Sequence, residues 1–167
     1  MRIATALLFA ALVASCGFSP MYAPGPGGGS GPIGPVQVSM IEGRAGHHLH
    51  AELERVLGLG AGDGPAQRLD ITIVEYAIPL GLRLDGSASR GEFQLVAYYS
   101  LTRPNGHLVS GSQTSIVNYD IPGAAFGAIG AQDDARERAA EVLAQQIRSA
   151  LALRIAQDNR NRERRRR

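Results

Sequence analysis

Lysine and tryptophan are absent from this chain of 167 residues, and cysteine occurs once, at Cys16. A single thiol excludes a disulfide within the chain and excludes a thiolate metal cluster. Aromatic side chains make up 5% of the residues, so no rich stacking surface is evident. No apolar run approaches the roughly 20 residues that a bilayer-spanning helix needs. Acidic charge is not scarce, although the formal net charge is +2. Between Gly17 and Asp158 ten arginines stand against fourteen Asp and Glu, so that part is near −4. The positive excess is confined to Arg160-Asn161-Arg162-Glu163-Arg164-Arg165-Arg166-Arg167. A basic chain ordinarily suggests nucleic acid. Here the excess describes only a tail, and no nucleic-acid partner is expected.

What is present begins with an address. Arg2 gives a short positive start, and Ile3 to Val13 is an apolar run rich in Ala and Leu. A basic start, a short apolar run and small residues before a cut site make a secretory signal. Leu12-Val13-Ala14-Ser15-Cys16 ends in the bacterial lipobox pattern: an apolar residue, two small ones, then cysteine. The small residues suit a peptidase that binds extended chain beside the bilayer. The thiol of Cys16 takes a diacylglycerol, and cleavage frees its amine for a further acyl chain. Two or more acyl chains anchor stably where one does not. Residues 1–15 are therefore read as a signal peptide and Cys16 as the lipidated residue. Gly17 replaces the Asp that usually retains such proteins at the inner membrane, which points to the outer membrane, periplasmic side.

Residues 16–35 read as a tether, dominated after Phe18 by Gly and Pro. Its glycines form no phosphate loop, because no strand precedes them and no Lys-Ser/Thr pair follows. Residues 36–156 read as one α+β domain. Val36 to Ile41 alternates like a half-buried strand. From Gly46 to about Leu59, Leu49, Leu53, Val56 and Leu57 fall at helical spacing. Arg68 to Leu84 is strand-like, with Pro79 and Gly81 predicting a bulge, a bend or an edge position. Arg90 to Thr102 alternates most clearly. Pro104-Asn105-Gly106 signals a hairpin, with a return strand from about His107 to Tyr119. A last helix, from Ala124 or Gln132 to Ala156, carries the stripe Ala135, Ala139, Val142, Leu143, Ile147, Ala150, Leu151 and Ile155. The order β-α-β-β-β-α predicts a four-stranded, mainly antiparallel sheet with two helices packed on one face. Residues 157–167 read as an Arg-rich disordered tail.

Reactive constellations are thin. His47 and His50 lie three apart on a predicted helix beside His48, but His107 is the only other histidine. A zinc site needs more ligands and their supporting partners, so no metal and no cofactor is expected. Ser110-Gly111-Ser112 is not a Gly-x-Ser-x-Gly elbow. Asp133-Asp134 sit near a helix start, where carboxylates answer the dipole. The chain reads as a non-enzyme.

These pieces in this order resemble the lipopolysaccharide-assembly lipoprotein family, LptE. Cys16-Gly17-Phe18-Ser19-Pro20-Met21-Tyr22 is similar to that family's Cys-Gly-Phe-x-Pro-Leu-Tyr opening. Arg44 before the Leu49/Leu53/Leu57 helix, the strand Leu95-Val96-Ala97-Tyr98-Tyr99-Ser100-Leu101, the Asn105-Gly106 turn, Gly111, Tyr119 and Asp134-Ala135-x-x-Arg138-Ala139-Ala140 continue the likeness. The insert at residues 24 to 35 and the Arg-rich end depart from it. The resemblance implies a four-stranded sheet covered by two helices. It also implies an outer-membrane lipoprotein that plugs and helps assemble the β-barrel LptD and binds lipopolysaccharide for insertion into the outer leaflet.

Lipopolysaccharide carries phosphates and packed acyl chains, so binding it calls for Arg beside an apolar surface. Arg83, Arg90 and Arg103 lie on or beside predicted strands and turns and are the candidate contacts. Arg83 and Arg90 flank one turn and are expected to share a phosphate. Gln94, Ser100, Ser110, Ser112, Gln113, Thr114 and Ser115 suit a face turned to a polar barrel lumen. The alternative reading is an auxiliary lipoprotein, an adaptor of another periplasmic lipid-transport system. A periplasmic hydrolase is a third, without residues to support it.

Overall fold

Two tight turns set the course of the sheet. In the computed structural model, which describes residues 33–58 and 65–166, strand β2 (Gln67–Leu82) returns as β3 (Ala88–Thr102), and β3 returns as β4 (Leu108–Asp120). The turns are built alike. The Arg83 N–H donates to Ser87 O at 2.8 Å, and the Arg103 N–H donates to His107 O at 2.9 Å. Gly86 and Gly106 take φ of +80° and +75°, a left-handed conformation that costs glycine little. Asp85 and Asn105 each accept the N–H two residues on, from Ser87 at 2.9 Å and His107 at 3.1 Å. The signal segment, Cys16, the tether as far as residue 32, residues 59–64 and Arg167 lie outside the described residues.

Strand β1 (Val36–Val38) joins by another route. Helix α1 (Arg44–Leu57) carries the chain back across the sheet, so β1 runs parallel to β2, with Val36 opposite Gln67 and Val38 opposite Leu69. The order is β1-β2-β3-β4. The sheet is thus mixed: β2–β3 and β3–β4 are antiparallel as expected, and the crossover helix makes the first pair parallel. β1 is also shorter than the predicted strand and covers only the first three residues of β2. Beyond Leu69 one side of β2 is therefore an edge. The β2–β3 register passes Pro79 and Leu80 without a shift, so of the three options at Pro79 the edge position holds. There the missing proline N–H costs no ladder bond.

Side-chain alternation gives the sheet two unlike faces. Leu69, Phe93, Leu95, Ala97, Tyr99, Leu101 and Val109 point to one side and are buried there beneath α1 and the long helix α2 (Ala125–Arg166). All four apolar positions predicted for α1 are buried, and so are Ala135, Ala139, Leu143, Ile147, Leu151 and Ile155 of α2. Ala150 is half-buried against the core and Val142 faces solvent, while Ala140, Ala144 and Ala152 enter the core. α2 touches both α1 and the sheet, so its buried stripe is wider than one seam, and alanine lets the backbones approach. Rings bridge the strands where glycine leaves room. An added Cβ would overlap Tyr119 at Gly91 and Tyr99 at Gly111, and each glycine stands opposite the tyrosine concerned.

The residues from 157 onward, expected to be disordered, instead continue α2 as far as Arg166. Arginine is a good helix former, and cations near a helix C-terminus oppose its dipole. At 42 residues α2 has ample length to cross a bilayer, but no described helix is both long and apolar enough to do so.

Candidate functional site

The topology gives the domain two ends. At the proximal end β1 and β2 begin and the β3–β4 turn lies; at the distal end lie the β2–β3 turn and the link from β4 to α2. The chain joins the sheet proximally. Gln67 donates its side-chain amide to Ile33 O and its N–H to Pro35 O.

The candidate arginines divide between these ends. Arg83 is half-buried at the distal turn, and its guanidinium donates to Ser87 Oγ and to the carbonyls of Ala88 and Ile121. Its terminal nitrogens are thus engaged in holding the β2–β3 turn against the β4–α2 link. Arg90 projects from β3, exposed, with Nε 3.4 Å from Asp120 Oδ1. Arg103 sits at the other end of the sheet, so it does not join them. What comes to Arg90 instead is Arg138 of α2. The two line an open cleft of about 540 Å³ with Leu80, Asn118, Tyr119 and Asp134. Arg138 pairs with Asp134 at 2.9 Å, one turn away and exposed. Exposed pairs of this kind are weak, so both guanidiniums are available to an incoming phosphate. Around this cleft the distal end is apolar: Leu82, Leu84, Phe126 and Ile129 are all largely exposed. Arg138 was visible in the sequence within the start of the last helix, but nothing local tied it to Arg90, about 50 residues earlier.

Among the described residues no helix covers the other sheet face. Along it run Val74, Tyr76, Ile78 and Leu80 of β2, Tyr98 of β3 and Ile116 of β4, each between 38% and 56% exposed. Polar side chains alternate with them across the register. Gln94 lies between Tyr76 and Ile116, and Tyr98 lies between Thr72 and Ser112. Of the polar set predicted for such a face, Gln94, Ser100, Ser110, Ser112 and Thr114 belong to it. Gln113 and Ser115 do not: they have the opposite parity and turn toward α2, with Ser115 1% exposed. A strand changes face at every residue, so a run of adjacent polar residues never lies on one side.

A third cluster fastens the helices. Arg44 at the start of α1 donates to both Asp133 oxygens, at 3.0 and 2.8 Å. Arg136 bonds Asp133 as well, lies 3.2 Å from Glu75 Oε2 and stacks its guanidinium 5.3 Å from the centre of the Phe93 ring. The hydrogen bond from Arg44 holds the Asp133 carboxyl below its ordinary value. A depressed carboxyl pKa means that the unfolded chain binds more protons than the folded one in acid. Its contribution is therefore complete above the ordinary Asp range near 3.9 and is lost as pH falls through the folded value. In Asp133→Asn, the drop in denaturation midpoint relative to wild type is expected to be present at pH 7 and to shrink toward pH 2.5. A pH-independent difference would remove this cluster as a source of acid sensitivity.

His47 is exposed, His48 and His50 are half-buried on α1, and His107 lies at the proximal turn, 3.7 Å from Asp158. Among the described residues no group of three or more His, Cys, Asp or Glu is placed to hold a metal ion.

Compared with known families, residues 33–151 match the LptE family, described as lipopolysaccharide-assembly. The chain belongs to the LptE family. That description places the family in lipopolysaccharide assembly. A lipoprotein of Caulobacter crescentus is 27% identical, aligns over 75% of this chain and 93% of its own, and superposes with a TM-score of 0.62. A minor lipoprotein of Acinetobacter baumannii, 15% identical over 71% of this chain and 90% of its own, shares the fold at a TM-score of 0.54. No curated protein matches the chain significantly. The LptE match stops at residue 151, short of the end of α2.

Proposed function

We propose that this LptE protein is anchored by acylated Cys16 to the periplasmic side of the outer membrane. There it plugs the lumen of the LptD barrel, assists its assembly and binds lipopolysaccharide on the way to the outer leaflet. The observation that carries this reading is the asymmetry of the sheet. One face is closed by helices. The other is a wide mosaic of exposed Tyr, Val, Ile, Ser, Thr and Gln, a composition suited to a wall that is polar with aromatic patches. The distal cleft supports the second half of the reading. Arg90 and Arg138 offer guanidinium forks to phosphate, and Leu82, Leu84, Phe126 and Ile129 offer apolar surface to acyl chains. Arg83 serves that site by holding the turn in place. Arg103, at the proximal end, is a separate candidate contact.

Copurification from detergent tests the first half. A large heat-modifiable barrel recovered in near-equal amount is expected; its absence favours the adaptor reading, a lipoprotein working without a barrel. The anchor has its own measurement. Intact mass of the mature protein is expected to show an acylated Cys16, and Cys16→Ala is expected to remove that modification. A mature chain with a free thiol at residue 16 refutes the anchor.

A further inference from the structure

We propose that the Arg-rich tip of α2 is a docking element for an anionic phospholipid surface, the leaflet that carries the lipid anchor. The proposal rests on reading Cys16 as that anchor.

Direction comes first. α2 starts at the distal end and runs toward the proximal one, where Asp158 Oδ2 lies 3.7 Å from His107 Nδ1 in the β3–β4 turn. Residues 159–166 continue past this point, about 12 Å of helix at 1.5 Å per residue. The same end receives the chain from its N-terminal side, at Ile33 and Pro35 beside Gln67. Ile33 lies seventeen positions after Cys16, which limits the reach from the anchor to about 60 Å. The tip therefore leaves the domain at the same end at which the chain from Cys16 enters it. The distal cleft is a full strand length, about 50 Å, further away.

Charge comes second. Arg160, Arg162, Arg164, Arg165 and Arg166 face only Glu163, a net +4 within one short stretch, and every residue from 159 to 166 is exposed. Several arginines elsewhere have carboxylate partners: Arg44 with Asp133, Arg55 with Glu52, Arg68 with Asp70, Arg90 with Asp120. The tip arginines have none among the described residues. A helix that is charged all round gains nothing from packing, and neighbouring guanidiniums repel. Lipid phosphates would relieve that repulsion, and each guanidinium presents a fork that fits phosphate. After Ile155 and Ala156 the helix carries no apolar side chain. The tip therefore docks by charge on the headgroups and does not insert, and docking weakens as salt shortens the reach of charge to about 8 Å at physiological strength.

The test uses the chain from residue 16 onward with Cys16→Ala, which retains every described residue and has no acyl group. Its binding is measured to vesicles of phosphatidylcholine, to vesicles with 30% phosphatidylglycerol, and to lipopolysaccharide aggregates. Phosphatidylglycerol is expected to tighten binding about tenfold or more over phosphatidylcholine, reversed by salt. Replacing Arg160, Arg162, Arg164, Arg165 and Arg166 by Gln, which keeps helix propensity, is expected to abolish that gain. The matching Lys variant is expected to keep most of it. A spin label at Asn161→Cys is expected to report headgroup contact, and one at Asp85→Cys, at the distal turn, is expected not to. Equal binding by the Gln variant, indifference to phosphatidylglycerol, or binding to lipopolysaccharide aggregates alone would overturn the proposal. Because the anchor is judged separately by the mass of Cys16, failure of either reading is recognisable by itself.

Discussion

With Tyr76→Thr and Tyr98→Thr combined, the domain is expected to keep its stability to within about 0.5 kcal/mol per site and to lose affinity for the proposed barrel partner by about 2 kcal/mol or more. Both rings stand on the sheet face that no helix covers, Tyr76 50% and Tyr98 56% exposed. Removing them opens no cavity in the core. Threonine brings a branched Cβ, which strands favour, so the ladder around Gln94 and Ser112 is unaffected. Large amphipathic rings such as these contribute disproportionately to interfaces, and losing two of them is a reduction of about thirtyfold or more in affinity. The measurement is the barrel recovered per tagged LptE protein, with a chemical denaturation curve of the variant alongside. Undiminished recovery with an unchanged curve would refute the proposal that this face meets the barrel.

The second large effect is on folding. Phe93→Ala is expected to lower stability by about 3–5 kcal/mol, measured as the shift of the denaturation midpoint at constant slope. Phe93 is 1% exposed, opposite Ala77 on one side and Val117 on the other. Its small neighbour Ala77 has only a methyl group, too short to fill the space left behind. The ring also supports the Arg136 guanidinium, which in turn reaches Asp133 and Glu75. Truncation thus loosens the contact between α2 and β2 as well as emptying the core. Domains of this size are stable by only about 5–15 kcal/mol, so a large share of that margin would be lost. Phe93→Leu fills most of the volume and is expected to cost clearly less. A change below about 1 kcal/mol for Phe93→Ala would mean that the site collapses around the smaller side chain.

The turns are legible in the sequence because their chemistry is local. Asp85-Gly86 and Asn105-Gly106 need left-handed glycine and a side-chain acceptor, and both requirements are visible within four residues. The α1 stripe was legible for the same reason: Leu49, Leu53, Val56 and Leu57 repeat at the helical period and face one core. The α2 stripe was legible only in part. A single-seam reading placed Val142 inside, whereas α2 packs against two elements and turns its alanines inward. The candidate site was least legible. Arg83 and Arg90 are close in sequence, yet backbone carbonyls hold the one and the cleft displays the other.

Several properties belong to the sequence by itself: the lipobox pattern at Cys16, the absence of reactive clusters, the order β-α-β-β-β-α and the inward residues of β3. Each follows from period, turn chemistry or composition, which act over a few residues. Only the tertiary structure decided that β1 lies parallel to β2, that Arg90 meets Arg138, that one sheet face stays open, and that α2 carries its arginines past the end where the chain enters. Those outcomes depend on pairings across tens of residues. Their free energy is realised only once the whole chain has folded around one core.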